Sequence, residues 1–354
     1  MAKQEFTDNS IYTTLTITEI REEAQGVKRI VFGGQDAKAI QYKPGQYLTF
    51  SKKTHHHEER RSYSITSTPV LNEPLAIGVK RVENGLFSRM LVDEVRVGDK
   101  LSTLGATGLF TLPEDIQAYK QVFFLAAGSG ITPIFSLLKT VLHASPDLQV
   151  VLIYSNKTPA HAIFREELEE LAAEFPERLR IEFLFSNSPD LSRARLYKDL
   201  MQAFLRQYAV APYEQILFYL CGPTNYMRMC FYALRQEEVP DDNIRRESFS
   251  RVKVPQKVSP PDTDAHQVTL HFRNRTFQLQ VQYPDNILRA AKKENIPLPY
   301  SCEAGKCGSC AAKCLKGDVW MSYNEVLTDK DLKKGLTLTC VGYPVGGDVE
   351  LDIG

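Results

Sequence analysis

The sequence predicts a multidomain chain: an N-terminal antiparallel β-barrel or sandwich, then an α/β doubly wound parallel sheet, then a small C-terminal α+β domain around a cysteine loop. Three observations carry this. Short alternating runs between Gly, Pro and Asn turns fill residues from about 10 to 112. From Gln121 onward, apolar strands alternate with helical patterns. Five of the seven cysteines then crowd the interval from Cys302 to Cys340.

In the first piece, Ile11–Ile17, Tyr47–Phe50, Tyr63–Thr66 and Leu75–Val79 have strand length and spacing, as in a barrel or sandwich. In the second, Gln121–Ala126 is a continuous apolar run, the mark of a parallel strand covered on both faces. A helix follows from Ile131 to about His143, then a strand at Val150–Tyr154 and a helix near Ala162–Glu174. Ile181–Phe185 and Ile216–Leu220 read as strands, and Leu196–Leu205 and Tyr226–Glu237 as helices. Residues 253–265 hold three prolines and few large apolar groups, which suits a semi-stiff linker. Beyond it, Val268–Phe272 and Phe277–Val281 read as a hairpin around Arg273-Asn274-Arg275. Asp285 or Asn286 can cap a helix running to about Glu294, and Leu336–Cys340 and Val349–Ile353 read as closing strands. The boundaries expected are 1–113, 114–252, a linker at 253–266, and 267–354.

Forty-three basic and 43 acidic residues cancel among the 354, so no general attraction to nucleic acid or anionic lipid is expected. The opening MAKQEFTDNSIYTT has no apolar signal region, and no stretch approaches the roughly 18 apolar residues of a membrane span. The expectation is a cytoplasmic protein with no membrane and no nucleic-acid partner. In that compartment clustered thiols point to metal rather than to disulfides.

Cys302-Glu303-Ala304-Gly305-Lys306-Cys307-Gly308-Ser309-Cys310 is C-x4-C-x2-C, and 29 residues separate Cys310 from Cys340. This is the plant-type spacing of a 2Fe-2S cluster, with Cys302, Cys307, Cys310 and Cys340 as ligands. Gly305 and Gly308 suit a tight loop whose amides turn inward toward sulfur. A zinc ribbon is the alternative, but zinc sites pair their C-x2-C knuckles and Cys340 stands alone. Cys314 alternates with its neighbours as in a strand and reads as a small buried hydrophobe; the single tryptophan, Trp320, reads as packing.

Two further sites carry chemistry. Arg61-Ser62-Tyr63-Ser64 offers a guanidinium for phosphate, a phenol for a ring face and a hydroxyl for a ring nitrogen, together a flavin clamp; Tyr63 as an ordinary strand aromatic is the plain alternative. Lys80-Arg81-Val82 and Gly85-Leu86-Phe87-Ser88 support the clamp, since a glycine turn opening a helix presents free N–H groups to a pyrophosphate. Gly128-Ser129-Gly130-Ile131-Thr132-Pro133 follows the apolar strand into a helix, and Cys221-Gly222-Pro223 ends a second strand. Both fall at the carboxyl edge of one parallel sheet, where ligands bind. His55-His56-His57 reads as a solvated loop, and Glu166, Glu167, Glu169 and Glu170 as the wet face of a helix.

In this order, RxYS, GxxS, GxGxxP, CGP and a cysteine loop resemble the ferredoxin–NADP reductase superfamily with a C-terminal plant-type 2Fe-2S domain, across nearly the whole chain. Within it the domain order resembles the reductase subunits of phenylacetyl-CoA epoxidases. The resemblance implies a β-grasp fold for 267–354. It implies that Arg61, Tyr63 and Ser64 contact FAD, that Lys80, Val82, Gly85 and Ser88 line its ribose and pyrophosphate, and that Thr132 and Cys221 border the nicotinamide. Glu247-Ser248-Phe249 resembles a terminal E-x-aromatic, which puts Phe249 near the flavin ring. Where the family often reads Y-G-N-R-T this chain has Tyr154-Ser155-Asn156-Lys157-Thr158, and a G-R-[IV] stretch appears as Ala194-Arg195-Leu196, so Lys157 and Arg195 keep positive charge near the ribose end. With no acidic residue directly after the Val150–Tyr154 strand, NADPH is favoured over NADH.

The activity implied is NAD(P)H-dependent electron transfer through FAD and the 2Fe-2S cluster to the oxygenase component of a multicomponent system, by resemblance a di-iron oxygenase acting on an aromatic CoA thioester. A phthalate-dioxygenase-type reductase using FMN and NADH shares the domain order. A redox-sensing electron-transfer module without turnover is a reading from another class. The intact GSGITP and CGP turns favour an enzyme, because a passive carrier has no use for a nicotinamide site.

Overall fold

The structure, a computed structural model, describes residues 11–53, 58–250, 252 and 259–354. His55–His57 and residues 253–258 of the expected linker lie outside the described residues. The chain packs as two compact units, Thr13–Ser248 and Phe249–Gly354.

The first unit opens with six antiparallel strands, β1 (Thr13–Ala24), β2 (Val27–Gly33), β3 (Tyr47–Lys53), β4 (Glu58–Ser64), β5 (Ala76–Lys80) and β6 (Lys100–Thr107), in the order β4-β3-β6-β1-β2-β5. Two short helices, α1 (Gly34–Ala39) and α2 (Leu86–Arg89), accompany them. The order leaves β4 and β5 as edges, and these meet: Ile65 bridges Ile77, and Thr66 N donates to Ala76 O at 2.9 Å. A barrel, not a sandwich, results. Leu15 and Ile17 of β1, Ile30 and Phe32 of β2, and Leu48 and Phe50 of β3 alternate inward to fill it. β1 runs past the expected Ile17 because a bulge between Ile17 and Glu19 breaks the alternation without ending the pairing.

The same unit continues into five parallel strands, β7 (Gln121–Ala127), β8 (Gln149–Asn156), β9 (Leu179–Phe185), β10 (Ile216–Cys221) and β11 (Ile244–Glu247), in the order β11-β10-β7-β8-β9. Four helices follow β7 to β10 in turn: α3 (Ile131–Ala144), α4 (Arg165–Glu174), α5 (Lys198–Tyr208) and α6 (Thr224–Gln236). Strand order reverses at β7, whose neighbours are β8 and β10, so a crevice opens beyond the carboxyl ends of β7 and β10. Every residue of β7 is buried.

Ile131–Leu142 of α3 are also all buried, because the helix has the sheet on one side and the barrel on the other. Ser136 Oγ donates to Ser67 O at 2.6 Å, the Thr68 and Thr140 hydroxyls meet at 2.7 Å, and Lys139 Nζ pairs with Glu73 at 2.6 Å. Glu167 of α4, its side chain 37% exposed, also pairs with Arg29 of β2, a correction to the purely wet-face reading. These bonds fasten barrel to sheet. They fix the crevice against the end of β4.

The second unit holds a mixed sheet of β12 (His266–Phe272), β13 (Arg275–Val281), β14 (Ala311–Met321), β15 (Leu336–Leu338) and β16 (Gly342–Asp352), ordered β13-β12-β16-β14-β15, with α7 (Ile287–Lys293) and α8 (Asp329–Lys333). The β12–β13 turn has two residues, Arg273 and Asn274, both at positive φ, while Arg275 pairs with Phe272. Asn286 caps α7, its Oδ1 accepting from Arg289 N at 2.8 Å. Cys314 lies on β14 as expected but is only half-buried, a correction: its Sγ faces the carbonyls of Lys316 and Gly317, where the register with β16 shifts.

Candidate functional site

Strand ends of the first unit bring three groups together. Ser64 is the last residue of β4, and its hydroxyl, 3% exposed, donates to Glu247 Oε2 at 3.4 Å. Glu247 ends β11. Burial pushes its carboxyl up to about 8, against the pull of the Ser64 hydrogen bond, so it is mostly protonated at neutral pH. Cys221 ends β10 in register with Glu247 on one side and Ala126 on the other; burial, then the Glu247 charge, holds its thiol in the neutral form.

The other residues expected around a flavin are nearby in sequence and differently engaged. The Tyr63 ring stands 6.3 Å from Phe50 and 6.2 Å from Phe87, and burial raises its phenol. Arg61 is half-buried and pairs with Glu59 at 2.5 Å. Lys80 and Val82 are exposed. Ser88 Oγ accepts from Val82 N at 3.1 Å and donates to Gly85 O at 3.2 Å, so this hydroxyl shapes the turn that Gly85 opens. Phe249 begins the second unit and is 48% exposed.

At the crevice, Gly128 takes φ +55° and Gly130 permits a close approach: a Cβ there would lie 2.0 Å from Cys221 O. The approach that Gly130 allows is thus between the β7 and β10 loops. Tyr154 braces the turn, its hydroxyl donating to Gly128 O and accepting from Ile163 N, each at 3.1 Å. Thr132 is buried, with Oγ1 donating to Ser129 O at 3.0 Å, while Gly222 is half-buried and Pro223 exposed. Lys157 and Arg195 are exposed beyond β8 and β9, with no ion-pair partner among the described residues. The buried Thr66 Oγ1, Ser155 Oγ and Asn156 amide have no hydrogen-bond partner among the described residues. Orphaned polar atoms at the carboxyl end of β8, with Thr66 just past β4, fit a polar ligand that completes them.

In the second unit the thiols meet two by two, Cys302 with Cys307 and Cys310 with Cys340. Cys302 is held below its ordinary value by the Cys307 thiol and by the amides of Lys306, Ala304 and Cys307. Gly305 at φ +70° and Gly308 at φ +73° make the loop that turns these amides inward. Cys340 closes on the loop because β14 and β15 pair Ala311, next to Cys310, with Leu338, two residues before Cys340. Thr339 N donates to Cys310 O at 3.1 Å, and the Asn286 amide that caps α7 also donates to Cys340 O at 2.8 Å. Two thiol pairs fit two irons, each taking two thiolates, better than one zinc with four donors around a point.

Sequence reasoning missed the second tie of Asn286, the brace at Tyr154 and the part of Glu247. The E-x-aromatic stretch marked Glu247, but only burial of a strand-end carboxyl beside Ser64 shows what it does.

Comparisons with known proteins identify the domains. The oxidoreductase FAD-binding domain family matches residues 14–112, the oxidoreductase NAD-binding domain family 124–231, and the 2Fe-2S iron-sulfur cluster binding domain family 270–345. The chain is 31% identical to one of the subunits of the 1,2-phenylacetyl-CoA epoxidase of Escherichia coli (strain K12), over 96% of this chain and 97% of that one. It is also 31% identical to the ferredoxin reductase component of the 3-ketosteroid-9-alpha-monooxygenase of Rhodococcus rhodochrous, over 96% of each. The fold matches that of phthalate dioxygenase reductase with a TM-score of 0.58 at 22% identity, over 96% of this chain and 98% of that one. Among the described residues no helix is long and apolar enough to cross a membrane. FAD and a 2Fe-2S cluster are the cofactors and NAD(P)H is the substrate. The chain belongs to the ferredoxin reductase family of NAD(P)H oxidoreductases, in the branch that joins FAD- and NAD-binding domains to a C-terminal 2Fe-2S domain.

Proposed function

We propose that this protein is the reductase component of a multicomponent oxygenase, that its partner is a di-iron oxygenase acting on an aromatic CoA thioester, and that it takes NADPH in preference to NADH. The observation that carries the reading is the buried Ser64–Glu247 pair at the mouth of the parallel sheet, on the same chain as a loop of paired thiols. FAD, when bound, takes an electron pair as hydride from NAD(P)H, and the cluster passes electrons on singly.

The chain's own residues bind, orient and manage a proton. Glu247 holds a proton on Oε2 at neutral pH beside Ser64 Oγ. With the carboxyl protonated the hydrogen bond can run either way, so Ser64 can pass a proton toward or away from the flavin N5 it faces in this reading. Cys221, buried and neutral, adds no charge where the nicotinamide would lie. Thr132, Gly128, Gly130, Gly222 and Pro223 border the nicotinamide in this reading. Arg61, Tyr63, Lys80, Val82, Gly85 and Ser88 hold the flavin, with Arg61 exchanging Glu59 for phosphate. Lys157 and Arg195 meet the 2′-phosphate of NADPH, a role their exposed, unpaired charges suit. Cys302, Cys307, Cys310 and Cys340 would hold the cluster.

The partner reading is supported by full-length likeness to a component of an epoxidase, and a ketosteroid monooxygenase reductase is equally similar. The test couples the purified protein and NADPH to the oxygenase components of a phenylacetyl-CoA epoxidase and, separately, of a 3-ketosteroid-9-alpha-monooxygenase. Epoxide formation in the first mixture only is expected. Product in the second mixture only overturns the partner reading, and no NAD(P)H-dependent reduction of cytochrome c favours the non-turnover module.

A further inference from the structure

Lys306 sits between two of the thiols, in the loop Cys302-Glu303-Ala304-Gly305-Lys306-Cys307, and is 7% exposed. Lysine is almost never buried without a partner, because an unpaired ammonium keeps little of its hydration energy inside a protein. Its partners are incomplete. Nζ donates to the carbonyl of Val252 at 3.0 Å and stands 6.0 Å from the centroid of the Tyr323 ring. The nearest carboxylate oxygen, Glu325 Oε2, is 3.9 Å away, an ion pair too long for a hydrogen bond. Glu325 is itself held at a distance: Tyr323 OH donates to its Oε2 at 3.0 Å, and its amide donates to Gly305 O at 3.0 Å. The loop therefore keeps a buried positive charge that its counter-charge only partly offsets.

We propose that Lys306 raises the reduction potential of the 2Fe-2S cluster, with Glu325 as the opposing charge that limits the rise. The inference rests on the assignment of Cys302 and Cys307 as cluster ligands. Reduction adds one electron, supplied by reduced FAD in the enzyme and by a mediator in a titration. No bond forms or breaks, and the centre gains one negative charge. A fixed cation carried on the loop between two ligands favours the more negative state, and protein between them screens less than water does. Potentials of such clusters respond to local charge as well as to hydrogen bonds at sulfur. The backbone N–H of Lys306 already supplies one of those bonds to Cys302, so the side chain adds an effect separate from the loop's own.

The experiment is a redox titration of the full-length protein, loaded with FAD and cluster and followed by the EPR signal of the reduced cluster. Lys306→Met is expected to lower the ratio of reduced to oxidised cluster about tenfold at a given ambient potential, a shift of about 59 mV for a one-electron couple. Lys306→Arg, which keeps the charge, should shift the ratio less than threefold. Glu325→Gln should move it in the opposite direction to Lys306→Met. A loop-pinning role alone would make Met and Arg alike and would give Glu325→Gln no rise. Equal shifts for Met and Arg, an unchanged midpoint in Lys306→Met, or a fall in Glu325→Gln each overturns the proposal. If Lys306→Met fails to hold a cluster, the Arg and Gln variants decide. A cluster signal that survives Cys302→Ala and Cys307→Ala in separate variants overturns the ligand assignment instead.

Discussion

Glu247→Gln tests the buried carboxyl directly. The wild-type group sits at about 8 instead of 4.5, chiefly through burial. A carboxyl raised in this way costs nothing below pH 4.5, where folded and unfolded chains both hold the proton. The cost grows as pH climbs through the interval, because the unfolded chain releases its proton first, and it is complete above about pH 8. At about 1.36 kcal/mol per pH unit the full cost is up to about 5 kcal/mol, and about 3 kcal/mol at pH 7. Glutamine keeps the shape and cannot ionise. At about 2–4 °C per kcal/mol for a unit of this size, the variant should melt on the order of 10 °C above wild type at pH 9 and level with it at pH 5. The assay is the melting of FAD-loaded protein, followed by flavin fluorescence from pH 5 to 9. Two melting profiles that stay parallel across that range would refute a protonated, buried Glu247.

Ser64→Ala takes from the Glu247 carboxyl the hydroxyl that donates to it, and stopped-flow reduction of the flavin by NADPH should slow by at least about tenfold while the cluster spectrum is unchanged. Cys307→Ser should remove the iron–sulfur absorbance yet keep NADPH-dependent ferricyanide reduction, because the flavin site belongs to a separate compact unit; loss of both would count against that independence. Lys157→Glu should raise KM for NADPH at least about fivefold more than KM for NADH, the signature of a lost charge contact to a 2′-phosphate. Equal effects on the two coenzymes would leave the NADPH preference without support.

Most of the architecture could be read from local pattern. Gln121–Ala127 is apolar at nearly every position because both faces are covered, and strand and prediction coincide within one residue. The cysteine loop was legible because its ligands lie close in sequence and metal chemistry restricts their spacing. Other features depend on pairs remote in sequence. Nothing near Ser64 announces Glu247, 183 positions later, and nothing in C-x4-C marks Lys306 as buried. The half-buried Cys314 escaped because a bulge shifts the register after it, and alternation cannot report a bulge. Glu167 was misread because its helix face meets the barrel, a contact that amphipathic pattern alone does not reveal.

Asn286 receives Arg289 N at one end of its amide and gives a hydrogen to Cys340 O at the other. One side chain thereby begins a helix and holds the carbonyl of the last cysteine, so the 53 residues between them form a ring that Leu288 N, donating to Thr339 O at 3.0 Å, helps to close. Closing such a ring costs entropy that is recovered only when both ends are in place. The start of α7 and the position of Cys340 are therefore coupled, and a displacement at one end of the ring is felt at the other.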